Sequence, residues 1–138
     1  MEAIRTLQRI EDESRLATSE EQEVLAQYVG WGGLPQVFDE KNENWGKEYA
    51  ELKDLLSEEE YTAARASTLN AHYTSPTVVK AIYSTLERMG LSSGNILEPA
   101  CGTGNFFGLV PESMAGAKLY GVELDGITGR IARQLYQK

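Results

Sequence analysis

Cysteine and histidine are almost missing from this chain, with Cys101 and His72 the only residues of their kinds. A single thiol excludes an internal disulfide and suits a reducing cytoplasm. One thiol and one imidazole are too few for a Cys/His zinc site. No apolar stretch approaches the ~18–20 residues that a membrane-spanning helix needs. The opening Met1-Glu2-Ala3-Ile4-Arg5 lacks the apolar core of a signal peptide. Basic residues are scarce in the first half. From Met1 to Asn70 there are 7 Lys and Arg against 16 Asp and Glu, a balance of −9, whereas Ala71 to Lys138 carries 6 against 5, or +1. An acidic face is a poor surface for a polyanion, so the chain alone is expected to bind nucleic acid weakly.

What is present suits one soluble globular domain: 138 residues, 41% hydrophobic and 25% charged. Ile4, Leu7, Ile10 and Leu16 recur at helical spacing, predicting a helix over residues 2–17. Thr18 or Ser19 caps a second helix, with Glu21 or Gln22 three residues on, and this helix is expected to run past Tyr28 to a Gly30 cap. Gly30-Trp31-Gly32-Gly33-Leu34-Pro35 is a sharp turn. Its indole either stacks on a base or ligand or plugs a groove between helices. Trp45, Tyr49, Leu52, Leu55 and Leu56 form a further apolar set, and Ser57-Glu58-Glu59-Glu60 is another capping box, opening a helix to about Ser67. Residues 1–70 thus read as an all-helical subdomain.

The character changes at Tyr73-Thr74-Ser75-Pro76. Ser75 before Pro76 is a helix start, because proline at the first helical position lacks only an N–H that would go unpaired anyway. Val78, Val79, Ile82, Tyr83 and Leu86 line one face of that helix, and Gly90 ends it. Asn95–Glu98 is a short strand, followed by the turn Pro99-Ala100-Cys101-Gly102-Thr103-Gly104. Phe106–Leu109 begins a helix that Pro111 cuts short, Lys118–Glu123 is a second strand, and Ile127–Tyr136 is a final helix. Strand, crossover and strand in this order imply a parallel pair.

A glycine-rich turn after a strand brings bare backbone close to a ligand. Nicotinamide dinucleotides favour Gly-x-Gly-x-x-Gly, and here the third position is Phe107. Pro99 also removes an N–H that a pyrophosphate would use. S-adenosylmethionine asks for carboxylates instead, one beside the turn and one at the next strand end for the ribose hydroxyls. Glu98 and Glu123 stand there, with Glu123 19 residues past Gly104.

Ile96-Leu97-Glu98-Pro99-Ala100-Cys101-Gly102-Thr103-Gly104-Asn105-Phe106 resembles the S-adenosylmethionine-binding motif of amino-group DNA methyltransferases. Tyr120-Gly121-Val122-Glu123-Leu124-Asp125 resembles their ribose-binding strand end, and Tyr73-Thr74-Ser75-Pro76-Thr77-Val78-Val79 resembles the segment over the methionine moiety. The stretches Tyr28–Leu34 and Ala64–Tyr73 are similar to the start of large phage and mobile-element proteins that fuse an adenine-type methylase to a Snf2-like helicase. The resemblance implies an α/β chain: a truncated Rossmann-like S-adenosylmethionine-dependent methyltransferase fold over residues 71–138, preceded by the helical subdomain. It implies cofactor contacts by Thr74, Pro76, Glu98, Pro99, Ala100, Gly102 and Gly104, with Glu123 on the ribose, Leu124 on the adenine, and Tyr73 and Cys101 as pocket walls. Thr74 reads equally as a helix cap beside Ser75. Asp125 reads as a turn former, His72 as a surface residue and Cys101 as a small filler rather than a reactive thiol.

The motif that holds the target amine in this family is Asn/Asp-Pro-Pro-Tyr/Phe. None of the four prolines here is followed by another. The expectation is therefore half of a cofactor site without the transfer chemistry, reaching DNA through parts of a longer protein. Exposed edges of so small a sheet favour a homodimer or a domain swap. A scaffold module of a mobile-element helicase, and a methyltransferase acting on RNA or protein, are the competing readings.

Overall fold

The computed structural model describes residues 1–137. It is an α/β chain with six α-helices and one two-stranded parallel sheet among the described residues. The elements are α1 (Glu2–Asp12), α2 (Ser19–Leu25), α3 (Gly46–Leu55), α4 (Glu58–Ser67), α5 (Pro76–Arg88), β1 (Asn95–Glu98), β2 (Lys118–Gly121) and α6 (Gly126–Leu135). No helix among the described residues is long and apolar enough to cross a membrane.

Local chemistry accounts for most helix ends. Thr18 and Ser57 each close a reciprocal capping box with Glu21 and Glu60. Ser75 accepts from the Val78 N–H at the start of α5. Gly90 ends α5 in the left-handed region at φ 92, with Leu91 N–H returning to Leu86 O and Gly90 N–H to Glu87 O. The same double return closes α1 earlier than its apolar spacing predicts, at Asp12 rather than residue 17. Ser14 takes φ 50, Arg15 N–H reaches Ile10 O, and Ser14 N–H reaches Glu11 O. Leu16 is consequently 60% exposed instead of sharing the buried face of Ile4, Leu7 and Ile10.

Two further expectations are corrected. α2 stops at Leu25, and Tyr28 lies in the turn beyond it, where its ring packs edge-on to Trp31. After the glycine turn there is no α-helix at 106–109, only a single 3-10 turn at Phe107–Leu109. Val110 is extended at ψ 124, as a residue before proline prefers, so the helical path ends there.

The apolar residues form two clusters. One joins Ile4, Leu7, Ile10, Leu25, Trp31, Phe38, Leu52, Tyr61 and Ala64 to Ile127 and Ile131 of α6. The last helix of the chain therefore completes the core of the first four. Polar contacts hold it there: Arg130 bridges Glu11 on α1 at 2.8 Å and also pairs with Glu60 on α4. Ala17 N–H donates to the buried Gln134 Oε1 at 2.9 Å. The helical core thus reaches across residue 70 into the last segment of the chain.

The second cluster is small, with Val79, Tyr83 and Met114 backed by Leu86, Ile96, Phe106 and Leu109. It covers one face of the sheet. The strands pair in parallel register, Ile96 with Leu119 and Leu97 with Tyr120. On the other face Leu97 is 63% and Tyr120 50% exposed. Val78 and Ile82, expected to face the core, are also exposed, because two strands are too narrow to cover the full apolar width of α5.

The placement of α6 has a direct test. Ile131→Ala removes a fully buried side chain from the helical core and is expected to cost about 2–5 kcal/mol. Leu124→Ala, at an exposed position just before α6, is expected to stay within about 0.5 kcal/mol. Equal melting temperatures for the two variants would show that α6 does not pack as described.

Candidate functional site

A strand that ends at Glu98 hands the chain to a turn that only glycine completes easily. Gly102 and Gly104 sit at φ 56 and φ 89, in the left-handed region. Gly104 N–H closes the turn on Cys101 O at 2.8 Å. The ladder continues beyond the formal strand ends, with Val122 N–H on Glu98 O and Cys101 N–H on Val122 O. The turn and the residues after β2 are thereby held side by side.

Glu123 fastens this arrangement. One oxygen, Oε2, accepts from Gly102 N–H at 2.8 Å, and the other, Oε1, accepts from Asp125 N–H at 2.9 Å. A carboxylate has about four lone-pair sites, so each oxygen keeps capacity for one more donor. Two tyrosines hold the far side of the turn. Tyr83 Oη donates to Phe106 O at 2.9 Å, and Tyr136 Oη donates to Gly104 O at 2.7 Å.

A cavity of about 400 Å³ opens beside the turn. Tyr73, Thr74, Glu98, Ala100, Cys101, Gly102, Glu123 and Leu124 all line it, drawn from three segments far apart in sequence. Pro76, Pro99 and Gly104 do not. Pro76 is the first residue of α5. Pro99 is exposed between β1 and the turn. Gly104 is packed under Tyr136, where an added Cβ would lie 2.3 Å from Cε2. Thr74 lines the cavity while its neighbour Ser75 makes the helix cap.

Several lining residues carry no signal of that role in the sequence. Ala63 and Ala66 of α4 form a back wall, and their small side chains leave the space open. His72 is exposed, as expected of a surface residue, and also lines the mouth of the cavity. Asp125 caps α6 through the Thr128 N–H, in keeping with a turn former, yet it also faces the cavity. Trp31 is buried between Tyr28 and Phe38 in edge-on contacts, so it is no stacking platform.

The electrostatics are one-sided. Glu98, Glu123 and Asp125 line the cavity, and among the described residues neither lysine nor arginine does. Partial desolvation, helped by the Glu123 and Asp125 charges, pushes the Tyr73 phenol above its ordinary range, although the residue is 39% exposed. Burial first, then the Glu123 charge, pushes the Cys101 thiol up in the same way. No cluster of His, Cys, Asp and Glu suited to a metal ion occurs among the described residues. No known protein family, curated protein or solved structure matches this chain.

The raised Cys101 pKa sets the pH dependence of its reactivity. The thiolate is the reactive form, so modification by a disulfide reagent is expected to be slow at neutral pH, with a midpoint above the ordinary thiol range. Glu123→Gln removes a neighbouring negative charge and is expected to lower that midpoint. A midpoint at or below the ordinary value in the native chain would contradict the burial of Cys101 beside Glu123.

Proposed function

We propose that this chain is the S-adenosylmethionine-binding part of an amino-group DNA methyltransferase, acting on adenine within a methylase–helicase protein of the phage and mobile-element kind. On this reading, β1 and β2 are the opening strands of a Rossmann-like sheet, and the chain works in the cytoplasm. The observation that carries the reading is the cavity beside Gly102, which holds three acids, Glu98, Glu123 and Asp125, and neither lysine nor arginine among the described residues.

Charge decides between the two usual occupants of a glycine turn. A dinucleotide would bring its pyrophosphate against Glu98, Glu123 and Asp125, a repulsion that deepens as water is displaced. S-adenosylmethionine carries a sulfonium and an ammonium against one carboxylate, so the same acids attract it. The size also suits, since small-molecule pockets run from about 300 to 1,000 Å³. Glu123 is already oriented by two backbone donors, and its remaining lone pairs match a ribose diol without further ordering. Glu98 and Thr74, which line the cavity, would take the amino-acid end, and Leu124 would offer an apolar surface to the adenine.

S-adenosylmethionine supplies an electrophilic methyl group. The part of this chain is to hold and orient that methyl and to exclude phosphate-bearing competitors. The amine-holding Asn-Pro-Pro-aromatic element is absent from the sequence. Transfer to a base amine and the grip on DNA then belong to other parts of the longer protein.

Calorimetry tests the reading. The chain is expected to bind S-adenosylmethionine and to give no heat with NADH. Glu123→Gln is expected to weaken S-adenosylmethionine at least about tenfold, the scale of one hydrogen bond to a charged group. Absence of S-adenosylmethionine binding at millimolar ligand would remove this reading and leave the scaffold role in its place.

The same reading leaves the Leu97–Tyr120 face and the sheet edges open to a second copy of the chain. Light scattering is expected to show a dimer that forms with rising concentration. A monomer throughout would exclude self-pairing.

A further inference from the structure

The Gly30–Gly33 turn belongs to the helical half of the chain, yet Gly30 lines the cavity and lies against the Tyr73 ring. A Cβ built on Gly30 would lie 2.9 Å from Tyr73 Oη and 3.4 Å from Cε2. A Cβ built on Gly102 would lie 3.1 Å from Cε1 and 3.7 Å from Cδ1 of the same ring. Cε1 and Cε2 are opposite edges, so the phenol is wedged between two glycines from distant parts of the sequence. Both glycines are left-handed, at φ 68 and φ 56. Gly32 is tighter still, because its Cβ would lie 2.1 Å from the backbone oxygen of Ala71.

These contacts form a continuous mechanical line. Trp31 is anchored in the helical core between Tyr28 and Phe38. Gly32 on one side of it lies so close to the Ala71 backbone that a Cβ would meet the Ala71 oxygen, and Gly30 on the other side abuts the Tyr73 ring. The ring in turn braces Gly102, whose N–H is held by Glu123. A side chain at residue 30 would have to displace the phenol, whose opposite edge lies against Gly102.

We propose that Gly30 is a positioning residue for the cavity: through Tyr73 it sets the spacing between the helical half and the glycine turn. The binding arm of the test rests on the S-adenosylmethionine reading, whereas a second arm does not. Cys101, adjacent to Gly102 and the only thiol in the chain, reports turn position through its modification rate whatever the ligand.

The experiment is a double-mutant cycle between residues 30 and 73. Gly30→Ala is expected to raise the dissociation constant for S-adenosylmethionine and the Cys101 modification rate about tenfold each, the size of a contact coupling. In the Tyr73→Phe background the hydroxyl that blocks the new methyl is gone, and both effects are expected to shrink at least about threefold. Gly33→Ala is the control, because Gly33 has the same left-handed strain at φ 79 with nothing within 4 Å. It is expected to leave both readouts near those of the native chain.

Equal losses from Gly30→Ala in the native and Tyr73→Phe backgrounds would overturn the proposal, as would a Gly33→Ala effect matching that of Gly30→Ala. Should Gly30→Ala not fold, Tyr73→Ala removes the brace directly. An unchanged Cys101 rate in that variant would also overturn the proposal. A native chain that binds no S-adenosylmethionine would remove the cofactor reading alone, and the thiol arm would still decide the positioning role.

Discussion

The Glu123 carboxylate is the constraint on which the site depends. A glycine turn is a liability unless something fixes it, since glycine loses more freedom on ordering than any other residue. Here both carboxylate oxygens take backbone donors, one from the turn and one from the residue that caps α6. Three local structures are therefore set by one side chain: the Gly102 backbone, the end of β2, and the start of the helix that closes the core. Charge-assisted bonds of this kind are about twice as strong as neutral ones, which suits a residue with three tasks.

Around that carboxylate the molecule is built unevenly. The helical cluster is broad, aromatic-rich and sealed by α6. The sheet cluster rests on Val79, Tyr83 and Met114 with one covered face. The cavity lies where the two meet, with the small residues of α4 on one side and the turn on the other. A site at such a seam draws rigidity from the larger body, while Glu123 and Tyr136 fix the glycine turn on the smaller one. Tyr73 lies against a glycine from each, Gly30 and Gly102.

The sequence disclosed most where a residue type has one physical use. Asn95–Glu98 has the expected bounds because Gly94 and Pro99 punctuate it. Ser57, Ser75 and Gly90 mark helix ends because hydroxyls and glycine satisfy the backbone groups found there. The glycine turn and Glu123 are legible from spacing alone, and the cavity gathers them. What stays hidden depends on partners. Ser14 ends α1 in a conformation normally left to glycine, which no composition rule anticipates. The apolar stripe of α6 shows that it packs, but not that its partners are α1, α2 and α4. Ala63 and Ala66 matter for what they leave empty, and periodicity carries no sign of that. Pro76 and Gly104 belong to the expected motifs by position, yet helix geometry and Tyr136 turn them away from the cavity.

The return of α6 to the helical core governs the order in which this chain can fold. Ile4, Leu7 and Ile10 find part of their packing only in Ile127 and Ile131, more than a hundred residues later. During synthesis the first helices must therefore wait, partly uncovered, until nearly the whole sequence described here has emerged. Contacts of such long sequence separation are slow to form, because the closure of the intervening loop is unfavourable until they are made. The sheet and the glycine turn lie inside that loop. Docking of the last helix thus closes the core over α1, α2 and α4 and sets Thr128, near its start, in the wall of the cavity.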